Sequence, residues 1–200
     1  IGTRLAVAGG CSVAAVARGP TLAALQTQGW RLRQGGVLHQ APATASADPA
    51  ALGVMDLVVI AVKGPALSDV TRHIAPLLGD HTIVLPAMNG VSAVGRCRTA
   101  PAWGSAPLQS VDPGGEISAR MPLPQVLGCV VHASTFTPEP GLVEHRMGQG
   151  LIIGEPLGGE SERATQLGAL LHRAGFDVTV SPHIRQDIWY KLWGNMTMNP

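Results

Sequence analysis

One uninterrupted apolar run decides the fold of this chain: Asp56-Leu57-Val58-Val59-Ile60-Ala61-Val62-Lys63. A continuous run of this length that ends in one charge is typical of a strand in the middle of a parallel sheet. Residues 82–86 (T-I-V-L-P) give a second buried strand, and a helical pattern covers residues 67–78 between the two. Strands that alternate with helices predict an α/β protein built on a doubly wound sheet.

The alternation continues on both sides of this run. Upstream, the pattern predicts helices at residues 3–9 and 21–28, a strand at 12–17, a hairpin within 28–40 and a loop at 41–50. Downstream, it predicts a weak helix at 90–98, a long loop at 99–125, strands at 126–134, 141–146, 150–154 and 176–181, and helices at 161–174 and from 187 onward. The hairpin should turn at Gly35-Gly36.

Composition excludes several classes of protein. The chain has 200 residues, of which 46% are hydrophobic, so it can form one sizeable core. Its formal net charge is +1, so it lacks the basic surface of a protein that binds nucleic acid or an anionic membrane. Its cysteines, Cys11, Cys97 and Cys129, are far apart and form no C-x-x-C pair, which argues against a disulfide framework and favours the reducing cytoplasm. The seven histidines show no metal-ligand spacing, so no metal site is predicted.

Three polar residues stand where predicted strands end: Arg18, Lys63 and Asn89. Each alone is explained as an ordinary polar residue, but ligands of doubly wound sheets bind at the carboxyl ends of the strands. Gly2, at the head of the first helix, would be the last glycine of a G-x-G-x-x-G phosphate loop. An arginine at the end of the second strand accommodates the 2′-phosphate of NADP, so Arg18 favours the phosphorylated dinucleotide. Two further cations are less well placed for that contact: Arg31 and Arg33.

The end of the chain, residues 190–200 (Y-K-L-W-G-N-M-T-M-N-P), carries a second polar pattern. Lys191, Asn195 and Asn199 are four residues apart and therefore share one face of a helix. One cation and two amides in a row can hold a small, oxygen-rich molecule. The alternative is an ordinary solvated face of an amphipathic helix. A neighbouring apolar stripe is predicted to dock the helix: Ile184, Ile188, Leu192 and Met196.

Eight segments occur in a fixed order along the chain: I-G-T-R-L-A-x-A-G, V-A-R-G, D-L-V-V-I-A-V-K, M-N-G, G-C-V-V-H-A-S, P-G-L-V-E-H-R, I-I-G-E-P and I-R-Q-D-I-W-Y-K-L-x-x-N-x-x-x-N-P. Together they resemble the ketopantoate reductase (2-dehydropantoate 2-reductase) family, and the last segment is the most specific. The resemblance implies an NADP-binding Rossmann-type doubly wound domain over residues 1–181. It also implies that residues 182–200 are the first helix of an all-helical C-terminal domain.

The resemblance assigns roles to the residues already singled out. The implied cofactor-binding residues are Gly2 in the phosphate loop, Arg18 at the 2′-phosphate, Lys63 on the nicotinamide side, Asn89, and the backbone near Ser134. The implied catalytic residue is Lys191, and the implied substrate-binding residues are Asn89, Asn195 and Asn199. The family often has Gln where this chain has Ala66, which removes one expected cofactor contact.

These roles imply hydride transfer from NADPH to the 2-oxo acid 2-dehydropantoate, which yields pantoate on the route to pantothenate and coenzyme A. Lys191 would supply a proton and a charge to the developing alkoxide. The family further implies a cytoplasmic enzyme with a small-molecule substrate, no nucleic-acid or membrane partner, and a homodimer formed through the helical domain. Two alternatives stay open: another 2-oxo or 3-hydroxy acid dehydrogenase of the same architecture, and a non-catalytic NADP-binding regulatory protein, which would have no need of Lys191.

The ends of the chain indicate a fragment, because it lacks an initiator Met, opens on Ile1-Gly2 and stops at Asn199-Pro200. In the doubly wound order the first strand would precede Ile1 and lie between the strands at 12–17 and 56–63. We therefore expect the 200 residues made alone to be poorly soluble and inactive, because interior strands would expose unpaired backbone groups.

Overall fold

The structure is a computed structural model that describes residues 1–89, 109 and 111–198. Strands and helices alternate along these residues, which confirms the predicted α/β class. The helices are α1 (Gly2–Ala8), α2 (Gly19–Gln28), α3 (Leu67–His73), α4 (Glu116–Arg120), α5 (Glu162–Arg173) and α6 (Ile184–Met198). The strands are β1 (Ala14–Val16), β2 (Trp30–Gln34), β3 (Val37–Ala41), β4 (Thr44–Ser46), β5 (Leu57–Ile60), β6 (Ile83–Pro86), β7 (Gly128–Glu139), β8 (Leu142–Gly154) and β9 (Asp177–Val180).

The chain divides into two compact units, which are described separately. Unit 1 contains Ile1–Gly53, His132–Gly150 and Ala169–Asp177, and unit 2 contains Val54–Val131, Leu151–Gly168 and Val178–Pro200. Helix α6 is part of unit 2, together with β5 and β6. The domain boundary after residue 181 stays a prediction.

Unit 1 is built on two sets of paired strands. β1 pairs in parallel with β4, from Ala14 opposite Thr44 to Val16 opposite Ser46. β2 and β3 form the predicted antiparallel hairpin, and β2 also pairs in parallel with the first residues of β8. The prediction of a loop over residues 41–50 is wrong where β4 lies. A strand of three residues is too short to show an alternation of apolar and polar side chains, and its pairing with β1 fixes it instead.

A long hairpin joins β7 to β8 through a turn at Pro140 and Gly141. The sequence predicted two strands, at 141–146 and 150–154, where the structure has the single strand β8. Gly148, between the two predicted strands, stays within β8 at a φ of 72°. A Cβ at this position would overlap the carbonyl oxygen of His132 on β7, so the glycine permits a close approach of the two strands.

The core of unit 2 forms around two strands that the sequence predicted, β5 and β6. They pair in parallel, from Leu57 opposite Ile83 to Ile60 opposite Pro86. β5 has β6 as its one paired neighbour among the described residues, so residues 57–59 are half-buried where the apolar run predicted full burial. Buried residues from both strands, the start of β7 and α6 share one cluster, which includes Ile60, Val84, Val126, Val130, Ile184 and Ile188.

Helix α4 lies in a segment that the sequence predicted to be a loop. The buried Asp112 caps it: Oδ1 accepts the N–H of Ile117 (2.8 Å), and Oδ2 accepts the N–H (3.1 Å) and the hydroxyl (2.7 Å) of Ser118. Ile117 and Met121 join the core of unit 2. A helix of five residues is little more than one turn, so it leaves no periodicity to detect. The predicted helix at 90–98 and the loop residues 99–108 and 110 lie outside the described residues.

Helix α6 begins at Ile184, three residues before the predicted start, and is docked by its first turns. Ile184 is 0% exposed and Ile188 6% exposed, as the apolar stripe predicted, and Leu192 is half-buried. Met196 is 71% exposed, so the stripe is wrong at its far end, because the core cluster that buries Ile184 and Ile188 does not extend that far. Within the residues described, neither α6 nor any other helix has the length and hydropathy needed to cross a membrane.

Candidate active site

Unit 2 contains a shallow pocket whose enclosed volume is only about 10 Å³; together with the open solvent at its mouth the space is about 250 Å³. The carboxyl end of β6, the first half of β7 and one face of α6 form its walls. The described residues that line it are Met88, Asn89, Cys129, Val130, Val131, Ile188, Lys191, Leu192 and Asn195. The pocket therefore lies at a strand end of a parallel pair, where doubly wound folds bind their ligands.

Local structure explains why polar side chains reach this pocket. β6 ends at Pro86, where the N–H of Ala87 donates to the carbonyl of Ile60 (2.9 Å), and Asn89 follows as an exposed bend residue. On α6, Lys191 and Asn195 are one turn apart, as predicted from their spacing. The burial of Ile184 and Ile188 sets which side of the helix faces the core.

The structure thus brings together three residues that the sequence singled out: Asn89, Lys191 and Asn195. The side chain of none of the three donates or accepts a hydrogen bond, or forms an ion pair, with another described residue. The ammonium of Lys191 and the two amides therefore keep their full hydrogen-bonding capacity for a ligand. Lys191 is also the one charged residue among the described residues of the lining, which suits an anionic ligand. Asn199 lies outside the described residues.

Cys129 is a pocket residue whose position the sequence did not reveal. Its side chain is buried, and burial raises the pKa of the thiol to about 12, since the thiolate would lose its hydration. The residue therefore lines the pocket as a neutral group. Sequence reasoning considered it only as a disulfide or metal ligand, although its place in the buried strand segment G-C-V-V-H could have indicated a wall residue.

Unit 1 contains three of the predicted cofactor-binding residues: Gly2, Arg18 and Ser134. Gly2 is the first residue of α1, and a Cβ there would come within 2.7 and 2.8 Å of the Trp30 ring. This is the tight helix–strand packing that the third glycine of a dinucleotide-binding loop provides. Ser134 is exposed on β7.

Arg18 is exposed directly after β1, in extended conformation at the N-cap position of α2. An arginine in this place fits a 2′-phosphate, because its guanidinium can donate to two phosphate oxygens at once. Two other arginines of unit 1 pair with glutamates. Arg31 donates to Glu139 (2.9 Å) and to the carbonyl of Pro140 (2.9 Å), and Arg33 donates to Glu144 (3.3 Å).

Lys63 is exposed in unit 2, immediately beyond β5, and does not line the pocket. Its carbonyl accepts the N–H of Ala66 (2.9 Å), which closes a short 3-10 turn. Position 66 thus lies in that turn beside Lys63, and its methyl group cannot replace the amide that the family often has there. The roles of these residues stay predictions.

The Ketopantoate reductase PanE/ApbA family matches this chain over residues 1–158. The chain belongs to this family. It is 41% identical over 205 residues to a 2-dehydropantoate 2-reductase from Mesorhizobium japonicum, with all of this chain and 61% of that protein covered. A crystal structure from Ralstonia solanacearum, also named after ketopantoate reductase, is 50% identical and has a TM-score of 0.94 over the whole chain and 61% of its own length. The Rossmann-type fold expected from the sequence is therefore confirmed.

Ketopantoate reductases are not the only proteins with this fold. The ternary structure of a D-mandelate dehydrogenase with NADH and anilino(oxo)acetate has a TM-score of 0.78, covers 99% of this chain and 58% of its own, and is 18% identical. At that identity the likeness shows a shared fold alone. The chain spans 61% of the length of the curated relative it matches, so the activity of the whole protein is inferred below.

Proposed function

We propose that the protein is an NADPH-dependent 2-dehydropantoate 2-reductase, and that this chain carries most of the cofactor site and the catalytic lysine. The family membership and the 41% identical relative support this assignment. The observation that carries it is the pocket lined by Asn89, Lys191 and Asn195, whose side chains have no partner among the described residues. The product, pantoate, would feed the synthesis of pantothenate and coenzyme A.

The residues present fit a phosphorylated nicotinamide dinucleotide. Arg18 would hold the 2′-phosphate, Gly2 would let α1 approach the strand layer closely, and Lys63 and Asn89 would hold the nicotinamide end. When bound, the cofactor would supply a hydride to C2 of the keto acid. Position 66 is Ala where the family often has Gln. Lys63 is therefore the residue with a polar side chain in the 3-10 turn formed by residues 63–66.

The pocket residues account for the remainder of the reaction. A 2-oxo acid presents a carboxylate, a ketone and, in 2-dehydropantoate, a hydroxyl. Lys191 would attract the carboxylate and donate a proton from Nζ to the ketone oxygen as negative charge develops there. Asn89 and Asn195 would orient the ketone and the hydroxyl, and solvent at the open mouth of the pocket would return a proton to the lysine.

The walls of the pocket favour a substrate with a compact apolar body. Met88, Val130, Val131 and Leu192 surround the polar group, and branched or flexible apolar side chains accept methyl groups without hydrogen-bonding demand. The two methyl groups on C3 of 2-dehydropantoate meet this description. A D-mandelate-type substrate would instead place an aromatic ring there, and it is the second candidate because that enzyme shares the fold.

The test is the rate of NADPH oxidation by the full-length gene product with 2-dehydropantoate and with phenylglyoxylate. A higher kcat/KM for 2-dehydropantoate supports the proposal, and a higher value for phenylglyoxylate supports the alternative dehydrogenase. NADPH binding without turnover of either acid would indicate a regulatory protein. The same proposal includes a cytoplasmic location, which is consistent with the free thiols of Cys11 and Cys129. It also includes a homodimer, which size-exclusion chromatography with light scattering tests.

A further inference from the structure

The junction between β9 and α6 contains a side-chain bridge that no part of the proposed chemistry uses. The hydroxyl of Ser181 donates to Oδ2 of Asp187 (2.5 Å) and accepts the N–H of His183 (3.0 Å). Ser181 is buried, and its backbone N–H donates to the carbonyl of Ile153 on β8 (2.8 Å). One residue therefore ties the strand layer of unit 2 to the first turn of α6.

Two further contacts hold the same junction. The N–H of Gly159 donates to the carbonyl of Pro182 (3.0 Å). At Gly154, the last residue of β8, a Cβ would overlap the carbonyl oxygen of Ser181 and lie 3.0 Å from Cβ of Ile184. The end of β8 thus touches the start of α6 so closely that only a glycine fits.

The direction of α6 at this junction would set the position of the pocket residues that the helix carries. Lys191 is three residues past Ile188, the last residue of α6 in the buried core cluster, or about 4.5 Å along the helix axis at about 1.5 Å per residue. A tilt of about 10° would therefore move the base of Lys191 by about 0.8 Å, and a misplacement of about 1 Å can reduce a rate about 100-fold. Beyond Ile188 no described residue of α6 belongs to the buried core cluster, and Met196 is 71% exposed.

The bridge also directs the Asp187 carboxylate. Asp187 lies four residues before Lys191 on the same side of α6, a spacing at which acidic and basic residues commonly pair. No ion pair joins them in the described structure, and the carboxylate bonds to Ser181 instead. The ammonium of Lys191 is thereby left to the pocket.

We propose that Ser181 and Asp187 are positioning residues whose bridge, seated on Gly154, sets the angle of α6 and so places Lys191 and Asn195 in the pocket. The proposal rests on the proposed function. It makes the bridge a determinant of turnover and not only of stability.

The experiment compares Ser181→Ala with Ser161→Ala in the full-length gene product. Ser161 is a matched control: it precedes α5, its hydroxyl donates to Glu155 (2.6 Å) and accepts the N–H of Ala164 (3.2 Å), and it is not in the pocket lining. Ser181→Ala should lower kcat about 10- to 100-fold, with the KM for NADPH unchanged, because the reacting geometry is lost. Ser161→Ala should lower the melting temperature similarly and leave kcat within about twofold.

Conservative variants complete the test. Asp187→Asn keeps an oxygen that can accept from Ser181, and Ser181→Thr keeps the hydroxyl, so both should retain most of the wild-type kcat. Asp187→Ala leaves the bond from His183 to Ser181 intact, so it should disturb folding less than Ser181→Ala, and it should lower kcat to the same extent. The double variant should be no worse than either single variant.

Equal kcat values for Asp187→Ala and wild type would overturn the positioning role. So would a loss of kcat in Ser161→Ala as large as that in Ser181→Ala. A wild-type protein without 2-dehydropantoate reduction would instead refute the proposed function, which keeps the two failures distinguishable.

Discussion

Replacement of Lys191 by alanine should abolish most turnover without affecting the fold. Removal of a general acid typically costs about 10²–10⁴-fold in rate, which is about 2.7–5.4 kcal/mol of activation free energy at about 1.36 kcal/mol per factor of ten. The structure explains why stability should not change. Lys191 is half-buried and pairs with no described residue, so its loss leaves no carboxylate or carbonyl without a partner.

The assay measures kcat and KM for 2-dehydropantoate, the dissociation constant of NADPH and the melting temperature of the same preparations. Lys191→Arg is the matched variant, because it keeps the positive charge while the guanidinium does not release its proton at neutral pH. Lys191→Arg should therefore retain more substrate affinity than Lys191→Ala and show a similarly low kcat. NADPH affinity should be close to wild type in both.

Two results would refute this reasoning. If Lys191→Ala keeps its kcat and only the KM for the keto acid rises, Lys191 binds substrate and does not donate the proton. If Lys191→Arg restores kcat, the positive charge is sufficient and proton transfer comes from another source.

Three further predictions concern the cofactor, the core and pH. Arg18→Ala should weaken NADPH binding about 10- to 100-fold, since a charged hydrogen bond contributes about 1.5–3 kcal/mol, while NADH affinity should be unchanged. Isothermal titration of both cofactors measures the ratio of the NADPH and NADH affinities. A ratio equal to that of the wild type would contradict the role of Arg18 at the 2′-phosphate. Ile184→Ala should lower the free energy of unfolding by about 2–5 kcal/mol, whereas Met196→Ala should change it by less than about 0.5 kcal/mol. Urea denaturation measures both values, and equal losses in the two variants would contradict the described docking of α6. The pKa of Glu155 is lowered, chiefly by the hydrogen bond from Arg163. The carboxylate therefore adds stability above its unfolded pKa of about 4.3 and loses that contribution as pH falls through the folded pKa. The difference in unfolding free energy between wild type and Glu155→Gln should shrink on acidification, and a difference that is constant with pH would contradict this prediction.

Much of the fold was predictable because it is encoded locally. The apolar runs of β5 and β6 and the glycine pair at the β2–β3 turn are patterns of a few adjacent residues. The four-residue spacing of Lys191 and Asn195 likewise predicts a common helix face, and the structure places both in one pocket.

The elements that escaped prediction are fixed by contacts that leave no periodic pattern in the sequence. β4 exists because it pairs with β1, and α4 exists because the buried Asp112 caps it and Ile117 enters the core. β8 is continuous because Gly148 lets its backbone pass close to His132 on β7, a contact that the local sequence does not reveal. The bridge from Ser181 to Asp187 has no signature of its own, since a serine and an aspartate six residues apart occur by chance in many loops.

The long sequence separation within the core of unit 2 has a consequence during synthesis. Val84 and Val130 are buried in the same cluster as Ile184 and Ile188, so the strands cannot complete their core until α6 has left the ribosome. At about 5–20 residues per second, the roughly 100 residues between Val84 and Ile184 take about 5–20 s to make. Throughout that interval the nascent chain exposes the apolar side chains of these strands, and their burial is completed only when Ile184 and Ile188 are available.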